Sequence, residues 1–360
     1  MTAFLPIKQS NSYLHSLWAA DRNLRQFNSY GLNRGLLHIV PAMERPLPPF
    51  RVNLLLTAAA FAVALFQFVV VPVFLLPETD MMSVAAADVA ALAMAVLLSL
   101  ATPFIRALLH EAIHGRLARA TTWNVRLGRA LAICSGISFD AIRLGHMVHH
   151  RFPRHSLDRA DVIAPGKNRL VMAVEFYCGL LGWIYVRETL SSMIMLLPRR
   201  AIMWVADRAM PSDEAVNVSL QGALRRGLDR RLQRIRIDSV LVILVYAGAF
   251  YLYGEWWPVL LTAIALRGLV VSLQDNVAHY DTPAEVGAPA HNSRTARWAS
   301  LFMLNSNLHG VHHDRPDIAW NRLPDAFKRA DGSYAGGYFA LLLKQFYGPQ
   351  TPGANEHRAD

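Results

Sequence analysis

Imidazole is a borderline ligand suited to iron, zinc and copper, and nine of this chain's fourteen histidines fall in four places. Three are clusters: His110-Glu-Ala-Ile-His114, His146-Met-Val-His149-His150 and His309-Gly-Val-His312-His313. The fourth is His279 alone, in Asp275-Asn-Val-Ala-His279. The other five, His15, His38, His155, His291 and His357, are scattered. Spacings of i, i+3 and i+4 put the imidazoles of each cluster on one helix face, where they can converge on a shared point. One tetrahedral zinc takes about three or four protein ligands. Nine imidazoles are too many for that, and suit two metals of higher coordination number.

Each feature taken singly has a plainer explanation. A lone histidine near the end of an apolar span is more often a satisfied interfacial residue than a ligand. HExxH at 110–114 is also the zinc-protease signature, with Glu111 as general base, and such short patterns arise by chance. It is their joint occurrence, with all four sites expected on one membrane face, that points to metal.

The elements that must position these residues are apolar. Hydrophobic residues make up 53% of the 360 and charged residues 17%, against about 25% charged in an ordinary soluble domain. Mean hydropathy is +0.24. An integral membrane, all-α protein is expected. The formal net charge of +10 is nearly all arginine and lies in loops, as the positive-inside bias expects of cytoplasmic segments. No basic stripe interleaved with aromatics marks a nucleic-acid surface. Cys134 and Cys178 are too few and too far apart for a disulfide framework or a CxxC metal site. The first 50 residues carry no apolar core next to the start, so the first span is expected to serve as targeting signal.

A bilayer crossing needs roughly 20 apolar residues. Four spans are predicted, at about 52–76, 84–109, 237–253 and 257–273. They form two hairpins turning at the acidic stretch Pro77–Ser83 and at Gly254–Pro258. Residues 1–50 are read as a cytoplasmic segment, helical around 12–27, and 326–360 as a C-terminal segment with a disordered tail. The apolar stretch 170–197 is read as an amphipathic or re-entrant segment at the cytoplasmic interface, because Glu175, Arg187 and Glu188 leave too few uncharged residues between them for a crossing and a crossing would put one of two basic loops outside. The third cluster is expected on one helix over 301–315. This topology places the termini and all four histidine sites on the cytoplasmic side, in a helical cap holding a dimetal site.

The pattern HxxxH, HxxHH, HxxHH resembles the integral-membrane fatty acid desaturase and hydroxylase superfamily. The third box extends as HxxHHxxPxxxWxxLP from His309 to Pro324, similar to bacterial acyl-lipid desaturases, and Asp158-Arg-Ala-Asp161 resembles the acidic pair after the second box. The resemblance covers roughly residues 50–325. It implies a non-haem di-iron centre that activates O₂ with electrons supplied from outside, ligated by His110, His114, His146, His149, His150, His279, His309, His312 and His313. It also implies an asparagine four residues before the lone histidine, holding a metal-bound water. Here that position is Asp275, with Asn276 next to it, and either can reach the water. Imidazole ligands need carboxylates behind them to fix tautomer and orientation. Glu111, Asp140, Asp158, Asp161, Asp281, Asp314 and Asp317 are the candidates.

The implied reaction is removal of hydrogen from an unactivated methylene of a lipid acyl chain, introducing a C=C bond. Hydroxylation or ketolation of an alkane, carotenoid or other lipid is the alternative. An intramembrane zinc protease would need a further ligand, often from an LDG motif, which does not occur, and would leave six clustered histidines idle. No HPGG haem motif occurs either, so a separate ferredoxin-like donor is expected.

Overall fold

A computed structural model describes residues 49–76, 84–155, 158–164, 166–209, 215–284, 287 and 289–351. The expected helix over 12–27, the acidic turn at 77–83 and the tail after 351 lie outside these residues. The described chain is mainly helical, and its two strands, β1 (Ser293–Arg294) and β2 (Gly336–Gly337), form a parallel two-residue pair.

Backbone contacts divide the chain into two units. The smaller comprises 1–44 and 203–230. Within it the Arg208 guanidinium lies over the Trp204 ring at 4.0 Å, and Arg225 pairs with Asp207 at 2.7 Å. The larger unit, 45–202 and 231–360, carries all four histidine sites.

By length and composition four helical segments can cross a membrane: Phe50–Leu75, Val89–Ile113, Arg169–Ile194 and Arg225–Val277. The first is α1 (Phe50–Leu65), continuing as a π-helical run over Phe66–Leu75. In π geometry the N–H of residue i bonds the carbonyl of i−5. Pro72 has no N–H, so the Gln67 carbonyl lacks a helical partner, and the Tyr253 hydroxyl donates to it at 2.8 Å. The second is α2 (Val84–Leu100) followed by α3 (Thr102–Ile113), the latter opening with proline in its first turn, where the missing N–H costs nothing. Next come α4 (Thr121–Cys134) and α5 (Phe139–Arg151), which meet at a bend of 101°.

Arg169–Ile194 holds α6 (Arg169–Cys178), capped by the Asn168 side chain accepting from Leu170 and Val171 N–H, and α7 (Ile184–Ile194). The sequence reading of this segment as non-crossing counts Glu175, Arg187 and Glu188 against a span. Glu188 is paired bidentately with Arg106 at 2.9 and 2.8 Å, and the segment is long and apolar enough to cross. The helix is nonetheless broken between its halves. Leu181 and Gly182 leave helical geometry, Gly182 at φ +125°, a conformation open to glycine. Here the chain lies against the Gly268–Leu269 backbone.

After α8 (Arg199–Ala209), α9 (Ala215–Tyr253) and α10 (Trp257–Val277) flank a short turn, Gly254–Trp256. Tyr246 and Arg267 are 2.6 Å apart across it. In a straight helix 21 residues would span about 31 Å, so the chain reverses at the turn.

The expected helix over 301–315 is two helices, α11 (Arg297–Phe302) and α12 (His309–Asp314). Leu304 and Asn305 both take positive φ, 51° and 56°, which ends α11. Asn305 stabilises the turn by donating to the Trp320 carbonyl at 3.0 Å. The chain beyond residue 325 stays packed on the site: α13 (Leu323–Arg329) covers Leu308 and Val311, and α14 (Tyr338–Lys344) buries Tyr338 and Leu341 against Val277 and Met303.

Candidate metal centre

Four segments deliver the nine imidazoles. His110 and His114 leave the last turn of α3, held by Leu108, Leu109, Ala112 and Ile113 in a core shared with Leu131, Ile137 and Phe139. His146, His149 and His150 occupy the C-terminal half of α5. That helix is anchored by the fully buried Phe139 and carries Asp140 in its first turn, where negative charge suits the helix dipole. His279 follows the end of α10, and His309, His312 and His313 line α12. Gly310 is required there. A Cβ on it would lie 2.5 Å from the Ala290 carbonyl oxygen, while the Asn292 side chain accepts from Val311 N–H at 3.0 Å.

The nine residues fall into two groups. His110, His114, His146, His150 and His312 form one; His149, His279, His309 and His313 form the other. Within each, one ligating atom per residue lies within 4.8 Å of every other. The groups adjoin where the His150 and His313 rings stack at 4.2 Å.

The nitrogen spacing tests whether metal fits. Nε2 atoms face one another at 2.9 Å (His114 and His146), 3.1 Å (His309 and His313) and 3.2 Å (His150 and His312). The Nε2 of His149 faces those of both His279 and His313 at 3.2 Å. Donors at right angles, about 2.1 Å from one ion, sit about 3.0 Å apart. His110 Nε2 and His279 Nδ1 are buried with no hydrogen-bond partner, a cost of about 1–3 kcal/mol each unless something else takes the lone pair. Burial and mutual repulsion hold His114, His146, His279, His309, His312 and His313 well below the ordinary histidine range. They are therefore neutral, the form that binds metal. For His149, burial acts downward but the Asp158 hydrogen bond and charge outweigh it, and the net shift is upward.

Of the candidate carboxylates, Asp158 accepts from His149 Nδ1 at 2.7 Å, which fixes the tautomer and turns Nε2 inward. Asp161 acts one step further out. It pairs with Arg154 at 2.6 and 3.1 Å, both side chains being 1% exposed, and accepts from Asp281 N–H. Arg154 is a residue the sequence reading missed. Its backbone N–H donates to Asp158, and its guanidinium reaches the Thr282 and Pro283 carbonyls, so it joins the segment after the second cluster to the turn after His279.

The other acids turn elsewhere: Asp140 to Arg234, Asp317 to Arg315, and Asp281 to Lys344. Asp314 is exposed, and partial desolvation raises its pKa. Glu111 accepts from Trp320 N–H at 3.3 Å, while the Trp320 indole donates to Asn53 on α1. The tryptophan of the extended third motif thus ties α1, the first cluster and the third together. Asn276 gives its amide to Gln345 at 2.9 Å. Asp275 is exposed, and its charge acts on His149, Arg106 and Glu188.

A cavity of about 470 Å³ opens beside the site, bordered by Asn276, Arg159 and Arg187 and walled by Met172, Phe176, Leu180, Trp183 and Ile184.

The family model described as Fatty acid desaturase matches residues 87–341, more than half of the chain and the whole of the histidine constellation. The chain belongs to the fatty acid desaturase family. No curated protein matches it. As a member of this family it is a desaturase- or hydroxylase-type oxidoreductase, and the match extends past residue 325 through most of α14. Asn53 lies before the matched region, yet it donates to the Arg116 and Leu117 carbonyls just after the first histidine box. The α1 helix is therefore part of this desaturase-family scaffold.

Proposed function

We propose that the protein is an O₂-dependent di-iron desaturase that introduces a C=C bond into a lipid acyl chain. The observation that carries this is the division of nine imidazoles into two adjoining groups, of five and four. No carboxylate belongs to either group. The five-residue group would hold one iron and the four-residue group the other. When bound, the pair supplies the O₂ activation needed to remove hydrogen from an unactivated methylene.

The remaining work falls to this chain's residues. Asp158 orients His149, and Arg154 holds Asp158 in place. Asp275, whose charge acts on His149, and Asn276, whose amide nitrogen donates to Gln345, are the two residues that would hold a water beside the metals. The apolar cavity beside Asn276 suits an acyl chain entering from the bilayer, and its walls would exclude water from the reacting carbon. Electrons would come from a separate ferredoxin-like donor.

We read the membrane arrangement as two hairpins, with termini and metal centre cytoplasmic. The segment 170–194 is re-entrant, because its halves of 10 and 11 residues each reach about 15 Å, half a bilayer core. Mass spectrometry of lipids from cells expressing the protein tests the reaction. Loss of two hydrogens from an acyl chain is expected; gain of one oxygen would make it a hydroxylase.

A further inference from the structure

Deeper along α10 than the large cavity lies a second, small one with a mixed polar and apolar lining. Its volume of about 20 Å³ suits a single water-sized group. It is bounded by Gln67, Thr102, Ser135, Tyr185, Arg106 and Arg267, with apolar residues between them. Arg267 is buried in a segment read as membrane-spanning, where a cation is costly and needs a partner. Among the described residues its guanidinium finds neutral acceptors, the Tyr246 hydroxyl at 2.6 Å and Gln67 Oε1 at 2.8 Å. The second bond fixes the orientation of the Gln67 amide. Its Nε2 is left buried with no partner, in a residue 2% exposed.

The neighbouring acceptors are already engaged: the Ser135 carbonyl by Tyr185, the Cys134 carbonyl by Tyr246 and the Gln67 carbonyl by Tyr253. The unmet capacity of this wall is an N–H donor, and its complement is an acceptor oxygen. Location says whose oxygen. Arg106, on the cavity wall, lies one helical turn before His110. Tyr185 lines this cavity, and its neighbour Ile184 lines the large one.

We propose that this cavity is a subsite for an oxygen atom at the distal end of the substrate chain, held by Gln67 Nε2. The proposal rests on the lipid-chain reading above. A chain seated in the large cavity, with its far end past the metal centre, would place a terminal hydroxyl or carbonyl there, and the reacting carbon would be set by its distance from that oxygen.

The test uses the full-length protein in nanodiscs and matched pairs of probes: laurate, myristate, palmitate and stearate, and the ω-hydroxy derivative of each. For at least one length the hydroxylated member should bind roughly tenfold tighter, the effect of satisfying one buried donor. Gln67→Leu should collapse that ratio to near one. Gln67→Glu keeps an acceptor toward Arg267 and replaces the free N–H with an oxygen that can accept from a terminal O–H, so the hydroxyl preference should persist there. The matching ω-oxo (aldehyde) probes, which only accept, should be preferred by the unaltered protein and lose that preference in this variant. Because the readout is a ratio within each pair, a general loss of folding lowers both members alike, and the glutamate variant keeps the polar link to Arg267. Equal binding of every pair in the unaltered protein, or a preference that survives Gln67→Leu, would overturn the proposal and leave the cavity to water only. Failure of all the probes to bind would instead remove the lipid-chain reading, and this subsite with it.

Discussion

The two histidine groups are built differently. His110, His114, His146, His150 and His312 come from three helices, and apolar packing stands behind the first pair: Leu108, Leu109, Ala112 and Ile113 are all 3% exposed or less. His149, His279, His309 and His313 depend more on polar tethers. Asp158 holds His149, Arg154 and Asp161 join the second-box segment to the turn after His279, and Gln345 and Gln350 pin the residues around that turn. A packed group is rigid because its helices have nowhere else to go. A tethered group keeps its geometry only while each hydrogen bond survives, but it can leave a coordination position open.

The largest effects should come from the ligands. His312→Ala removes a donor from the packed group and His279→Ala one from the tethered group. Each should cut turnover more than about a hundredfold and lower metal content toward one per chain, with the fold retained. Metal lost from both groups in either variant would show that the two are not separable.

Arg154→Ala should come next. Leaving Asp161 buried and unpaired costs about 3–5 kcal/mol. The tethered group should then lose metal while the packed group keeps it, as read by stoichiometry and by the spectrum of the remaining ion. Asp158→Ala should weaken the same group about 10–100-fold. Equal loss from both groups would dissolve the distinction.

Gly310→Ala should act on both groups together, because α12 serves both. Its Cβ meets the Ala290 carbonyl oxygen at 2.5 Å, and overpacking of this kind costs about 1–3 kcal/mol.

Glu111→Gln should have the smallest effect on metal content, since the side chain contacts Trp320 rather than an imidazole. Loss of all activity with metal intact would revive the protease reading. Acidification sharpens the same picture. Imidazoles held well below 6.5 in the metal-free fold stay neutral as pH falls through that value. Metal uptake by the packed group should therefore stay flat from about pH 8 to 6.5 and weaken only on further acidification. A midpoint near 6.5 would contradict the burial of this group.

The histidines were legible because spacing alone places them on helix faces, and the turn at Gly254–Trp256 because tryptophans and proline mark it. What escaped the sequence was pairing across distance. Glu188 counted as a charge against a crossing until Arg106, 82 residues away, was found beside it. Arg154 looked like one more basic loop residue, although its backbone sits at φ 64° with its head group buried. The break between α11 and α12 rests on Leu304 and Asn305 in left-handed geometry, and for leucine no propensity predicts that. Trp320 was visible as a motif residue, but its link to Asn53 and Glu111 depends on the fold.

The central claim is that nine imidazoles hold two irons, and metal analysis of the purified, iron-reconstituted protein tests it most directly. About two irons per chain, falling to about one in His312→Ala and in His279→Ala, is the expected result. A single zinc per chain, unaffected by His279→Ala, would contradict it.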